Sequence, residues 1–305
     1  MAARGKSINL FLMDGTATGR VKCTLANWTG VAYKIPRTDL DKCREREDLS
    51  QSGVYFLFGT SEQTGENVVY VGQAGARKNG DGILYRLMEH KRNHEKDYWT
   101  EAVVFTTSNN SFGPTEISYL ENRFCAMAAA ARRYIVKNGN EPTIGNVTEE
   151  KESELEEFID YAKIVMGTLG HKLFEPLLQE QTTEPDEVCP ENPSSQGPVF
   201  SYDRKTGVAR GRRTSEGFVV LADSVVAPKL QQSCPEAARR MREKYVDDIG
   251  ADDVLRRDVL FSSPSAAASF VAGSSTNGNI VWKTADGLTL KEVENAESGG
   301  VQSGQ

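Results

Sequence analysis

Between Gln179 and Pro198 the chain carries four prolines, the adjacent serines Ser194 and Ser195, many acids and few apolar side chains. Such a stretch cannot bury enough apolar surface to offset the entropy of ordering it, and its prolines are unwelcome inside helices and sheets. It reads as an exposed linker over 176–199, which forces any folded structure into two separate cores. That division suits 305 residues at a prior of roughly 150 per domain. Before the linker, 1–50 reads as an N-terminal β-extension and 51–175 as the larger domain. After it, 200–293 reads as a second, smaller domain, and the Gly-, Ser-, Gln- and Glu-rich stretch 294–305 as a disordered tail.

The net charge of −7 argues against nucleic acid as a partner only until it is resolved along the chain. Residues 1–50 carry 9 basic and 6 acidic groups, and residues 51–140 carry 10 and 9. Residues 141–195 carry 3 and 14, whereas 196–305 balance at 14 and 14. The acidity is local, so the two flanking parts stay compatible with a polyanion. No apolar run nears the ~18 residues of a membrane span. The stretch from Met1 to Ser7 lacks the core of a secretory signal. A cytoplasmic protein with no membrane partner is expected. The cysteines are five, an odd number, with no Cys-x-x-Cys pair, which argues against a disulfide framework and a structural zinc site. With only His90, His94 and His171 present, a multi-histidine metal site is nearly excluded.

The expected class is α+β. Ile8–Leu12 and Arg20–Leu25 read as short strands around the turn Asp14-Gly15, and Val31–Ile35 as another. Val54–Phe58 and Val68–Val71 are continuous β-prone runs joined by a polar loop, which predicts a hairpin. Ala102–Thr106 reads as a further strand. Helical periodicity covers Ile83–Lys91, Pro114 to about Lys137, and Leu155–Leu169. In the second domain, Phe218–Leu221 and Ile280–Lys283 read as strands, and Pro235–Tyr245 and Ser265–Val271 as helices.

The residues that carry chemistry lie on these elements. Gly53-Val54-Tyr55 and Tyr70-Val71-Gly72 sit on the two hairpin strands. Paired strand tyrosines are common cross-strand core residues, so alone they decide nothing. Arg86 and His90, four apart, stand on one helix face at the border of its apolar arc; a solvated face is the plain alternative. Glu121 lies at the margin of the apolar stripe of the next helix. A carboxylate there needs a partner, either Arg86 in an ion pair or a divalent cation such as Mg²⁺.

The ordered set Gly-Val-Tyr, Tyr-Val-Gly, Arg-x-x-x-His, a helical Glu and an Asn beyond that helix resembles the GIY-YIG nuclease family over about Gly53 to Ile144. Both tripeptides carry Val where the family name has Ile, a conservative exchange in a strand. The closing Asn is Asn138 or Asn140, with Asn138 favoured because it follows Ile135-Val136-Lys137. The resemblance implies a small mixed or antiparallel sheet flanked by helices, and a Mg²⁺-dependent DNA endonuclease with Mn²⁺ as a substitute metal. It implies Glu121 as the metal ligand, Tyr55 as proton acceptor from the attacking water, and Tyr70 ordering the nucleophile. Arg86 would offset phosphoryl charge, His90 support or share the base role, and Asn138 fix the geometry. A phenol of pKa ~10 is a poor base unless a nearby cation lowers it, a task expected of Arg86 and the metal. An adaptor that keeps the fold without activity is the competing reading. No nucleotide cofactor is implied.

The C-terminal part is similar to an uncharacterised domain attached to such nucleases, and to the domain associated with restriction enzymes and adenine methylases. The match rests on Phe261 to Ala268, Gly273, Asn277-Gly278 and Trp282-Lys283. It implies a second α+β domain that targets DNA. Arg210, Arg212, Arg213, Asn277 and Gly278 are the candidate contacts, with a solvated turn as the plain alternative for the arginines.

Overall fold

The computed structural model describes residues 5–62, 65–75, 82–93, 97–139, 142, 144–177 and 197–299. Most of the expected linker, together with His94, Asn140 and Cys189, lies outside the described residues. The chain divides into two units, with the boundary between Pro176 and Leu177. Both units are α+β.

The first unit is built on one seven-stranded sheet. Its strands are β1 (Ile8–Leu12), β2 (Val21–Leu25), β3 (Gly30–Pro36), β4 (Gly53–Thr60), β5 (Asn67–Ala74), β6 (Trp99–Thr107) and β7 (Ile135–Val136). They lie in the order β1-β2-β3-β6-β4-β5-β7, so the strands of 1–50 continue the same sheet. All neighbours are antiparallel except β5 and β7. β4 lies between β5 and β6 and is covered on both faces, which explains why its apolar run does not alternate. On one face Phe56, Phe58 and Phe105 pack with Phe124 and Phe158 in a shared core. On the other, Tyr33, Tyr55 and Leu57 pack with Ile83 and Leu87.

Among the described residues three α-helices complete the unit: α1 (Ile83–Arg92), α2 (Pro114–Ala131) and α3 (Glu149–Thr168). Pro114 opens α2, and the Glu116 carboxylate accepts the Gly113 N–H at 3.1 Å. α2 stops short of the expected Lys137. Arg132 turns left-handed at φ 52°, and the chain then adds β7 beside β5. The Thr148 hydroxyl caps α3, and Glu149, Glu150 and Glu152 occupy its first turn. That gives part of the acidic block a structural role at a helix N-terminus.

The second unit holds a four-stranded antiparallel sheet, in the order β11-β10-β9-β8. The strands are β8 (Val199–Arg204), β9 (Gly207–Thr214), β10 (Gly217–Val220) and β11 (Val259–Phe261), with helices α4 (Glu236–Lys244), α5 (Pro264–Ala272), α6 (Gly278–Val281) and α7 (Leu290–Gly299). Two expectations fail here. Of the expected strand Ile280–Lys283, Ile280 and Val281 belong instead to the short helix α6, because Asn277 caps it and Gly278 packs on the Pro264 carbonyl, whereas Lys283 makes isolated antiparallel bridges to Ser201 and Thr289. Trp282 follows as a core residue, fully buried, 4.7 Å from the Phe218 ring, with Nε1 donating to the Pro264 carbonyl. The expected disordered tail is helical as far as Gly299. Thr289 and Glu292 exchange capping hydrogen bonds at the start of α7.

Candidate active site

Pairing of β4 with β5 sets Tyr55 opposite Gly72. The Tyr55 ring lies over that glycine: a Cβ there would sit 2.4 Å from both Cζ and Oη of Tyr55. α1 packs on the same face and brings His90 down onto the hairpin. Tyr55 Oη and His90 Nε2 are 2.7 Å apart. Tyr55 is 1% exposed and His90 4%, so the pair is shielded from bulk water. The Tyr70 ring completes a triangle, with centroids 6.3 Å from Tyr55 and 5.3 Å from His90.

Arg86, one turn before His90, lies close enough to Tyr55 for its charge to act on the phenol. Its bonded carboxylate is Glu89 at 2.6 Å, an i,i+3 pair on the same helix, so of the two partners considered for Glu121 the ion pair with Arg86 is not formed. Glu121 is half-buried on α2. Gln73, the residue after Tyr70-Val71-Gly72, lies beside it and, with the charge of Arg86, favours its ionised form. Burial still dominates and pushes its carboxyl above the ordinary range. Tyr55, Tyr70, Arg86, His90 and Glu121 therefore converge.

Arg86 does draw the Tyr55 phenol down, but burial outweighs it. Burial, helped by the proximity of Tyr70, drives the phenol well above its ordinary value, and Arg86 offsets only part of that. Tyr70 shifts the same way, chiefly through burial and the nearby Glu121.

Asn138 takes another position. Its Oδ1 accepts the Val71 N–H at 3.0 Å and its Nδ2 donates to the Val71 carbonyl at 2.8 Å. The side chain imitates one residue of a neighbouring strand and pins β5 between Tyr70 and Gly72. It acts on the site through that backbone. His171 belongs elsewhere, stacked on Phe58 at 3.7 Å and bonded to Glu101.

Glu121 suits a hard cation, since a cation beside it would offset the cost of burying its charge. Among the described residues no three His, Cys, Asp or Glu side chains gather as a metal cluster. Cys125, one turn beyond, has its thiol pushed up to about 12 by burial and Glu121. Sequence reasoning missed Gln73 and Glu89. Their signals were adjacency to the second tripeptide and the i,i+3 spacing from Arg86.

In the second unit the expected basic cluster is split by strand alternation. Arg210 and Arg212 lie on one face of β9. Arg213 lies on the other and pairs with Glu294 and Glu297 of α7. Asn277 is exposed but its side chain caps α6, and Gly278 is buried. Residues 200–294 match the family model of a domain of unknown function (DUF4357). No curated protein and no solved structure matches the chain.

Proposed function

We propose that the chain is a Mg²⁺-dependent DNA endonuclease of the GIY-YIG type, with residues 200–294 as a substrate-targeting module acting in the cytoplasm. The observation that carries this reading is the 2.7 Å contact between Tyr55 and His90 beside Arg86 and Glu121, in the order the family motif requires.

Glu121 would hold the metal, and Mg²⁺ so bound supplies positive charge to a phosphodiester oxygen; Mn²⁺ would serve the same way. The remaining work falls to side chains. A phenol so buried does not persist as phenolate, so Tyr55 acts as a relay. With His90 in the tautomer protonated at Nδ1, the Tyr55 hydroxyl donates to Nε2 across their 2.7 Å contact. As the Tyr55 oxygen takes a proton from the attacking water, its own proton passes to the imidazole. One water O–H breaks, one His90 N–H forms, and the phenol is neutral before and after. Tyr70 walls the relay and orders the nucleophile. Arg86, permanently charged and tethered by Glu89, neutralises charge growing on the phosphoryl oxygens. Asn138 keeps Tyr70 and Gly72 in register.

The test is incubation of supercoiled plasmid and branched DNA with the full chain, in Mg²⁺ or in EDTA. Cleavage is expected only with the metal. Glu121→Gln is expected to retain DNA binding and lose cleavage, and wild-type rates in that variant would refute the metal assignment.

A further inference from the structure

In the second unit, Arg213, Arg240, Arg256 and Arg257 each meet a carboxylate within 3.4 Å. Arg204 and Arg242 bond main-chain carbonyls instead. Arg204 Nη2 donates to the Val225 carbonyl at 2.9 Å. Arg242 donates through Nη2 to the Ala227 carbonyl at 2.7 Å and through Nε to the Phe270 carbonyl at 2.8 Å. Val225 and Ala227 are two apart on an extended segment whose N–H groups bond Val208 and Val271, while Val226 bonds Asp253 on the other side. Carbonyls two apart in such a segment point the same way, roughly 7 Å from each other. The two guanidiniums are therefore moored side by side.

A guanidinium has five N–H donors. Arg204 spends one and Arg242 two on these carbonyls, and Arg204 Nε is buried with no hydrogen-bond partner among the described residues. Both side chains remain partly open to solvent. Like charges held together without a bonded carboxylate are unfavourable. Arg242 is pulled down to about 10 by burial and by Arg204, against the opposing pull of Asp253, and Arg204 is lowered by burial. An anion with several acceptor oxygens would satisfy the spare donors and relieve both burdens at once.

We infer that Arg204 and Arg242 form an anion site that takes a phosphate group. The group is either a free phosphate or a phosphodiester of the nucleic-acid backbone. The phosphodiester arm rests on the targeting role proposed above; the anion site does not.

The experiment uses the full chain in EDTA, with circular dichroism to confirm folding. In thermal unfolding, added sodium phosphate is expected to raise the transition of wild type and of Arg204→Lys, which keeps the charge, but not of Arg204→Gln or Arg242→Gln. If Arg242→Gln does not fold, Arg204→Gln decides. In the second arm, labelled duplex is titrated over a range of NaCl. Arg204→Gln is expected to weaken binding about tenfold at low salt and to flatten the plot of log affinity against log salt by about 0.9 for each phosphate it ceases to neutralise. A phosphate shift with unchanged duplex binding keeps the site and assigns it to a small phosphate. Weakened duplex binding in Arg210→Gln but not in Arg204→Gln, with no phosphate shift, overturns the inference while leaving the nuclease reading intact. Absence of both effects in wild type overturns it as well.

Discussion

Replacing Gly72 by alanine tests whether the Tyr55–His90 contact is held by shape. The added Cβ would lie 2.4 Å from Tyr55 Cζ and Oη and 2.8 Å from Cε2. Ordinary carbon contacts begin near ~3.5 Å, so the ring must retreat by about 1 Å. It has little room, because the rings of Tyr70 and His90 stand beside it and Tyr55 is 1% exposed. Overpacking of this kind costs about 1–3 kcal/mol. In a unit of this size that is a fall of roughly 2–12 °C in its unfolding midpoint, at about 2–4 °C per kcal/mol. A 1 Å misplacement of a reacting group costs about 10²-fold in rate, so cleavage should fall by at least that much. Gly75→Ala is the control, since among the described residues its Cβ meets only Ile117 Cδ1 at 3.8 Å; it should match wild type in both assays. The assays are thermal unfolding by circular dichroism and single-turnover plasmid cleavage. A Gly72→Ala protein that unfolds and cleaves like wild type would refute the argument that this glycine sets the position of Tyr55.

Arg86→Ala should lower the single-turnover cleavage rate by about 10²–10³ while changing duplex affinity less than about tenfold; equal losses would make Arg86 a substrate-positioning group only. Asn138→Ala removes both bonds to Val71, at about 0.5–1.5 kcal/mol each, and should appear as a lower denaturant midpoint and faster amide exchange along β5; unchanged exchange at Val71 would contradict the clamp. Burial raises the Glu121 carboxyl in the folded state above its ordinary 4.5, so the folded chain keeps this proton to higher pH than the unfolded chain. The stability it contributes is complete below about 4.5 and is lost as pH rises through the folded value. Glu121→Gln escapes that loss, so its stability relative to wild type should increase as pH rises above about 4.5 and level off once the folded carboxyl has ionised; a difference independent of pH would show that burial does not disfavour the charge.

The first unit was more legible than the second, for physical reasons. Its strands Val54–Phe58 and Val68–Val71 are unbroken apolar runs because β4 is covered on both faces, and α1 and α2 carry apolar stripes at helical spacing. β8 and β9 escaped detection because they carry Ser201, Arg210 and Arg212 among few apolar side chains, and a strand held by its neighbours needs little apolar alternation of its own. Ile280-Val281-Trp282 has strong strand propensity, yet the Asn277 cap and the seat of Gly278 against Pro264 overrode it. Composition marked residues 294–299 as disordered, but the reciprocal cap of Thr289 and Glu292 starts a helix that runs through them. At the candidate site, residue order along the chain brought five side chains into view. The partners of Arg86 and Glu121, and the direction of the Tyr55 shift, depend on burial and lateral neighbours that a linear pattern does not encode.

The amide of Asn138 exposes the chain to chemical ageing. An asparagine followed by glycine cyclises to a succinimide more readily than other pairs, because glycine puts no side chain in the path of its own attacking nitrogen. Three such pairs occur, Asn79-Gly80, Asn138-Gly139 and Asn277-Gly278, and the first lies outside the described residues. Gly278 is wedged within 2.5 Å of the Pro264–Ser265 backbone, measured from where its Cβ would be, which restrains the rotation that cyclisation needs; a Cβ at Gly139 meets nothing within 4 Å among the described residues. Hydrolysis at Asn138 would replace a donor with a carboxylate oxygen facing the Val71 carbonyl, turning a hydrogen bond of 2.8 Å into a repulsion beside Tyr70. Stored protein would then lose the outer edge of β5 first, with the small mass gain of deamidation in the peptide holding Asn138 and none in the peptide holding Asn277.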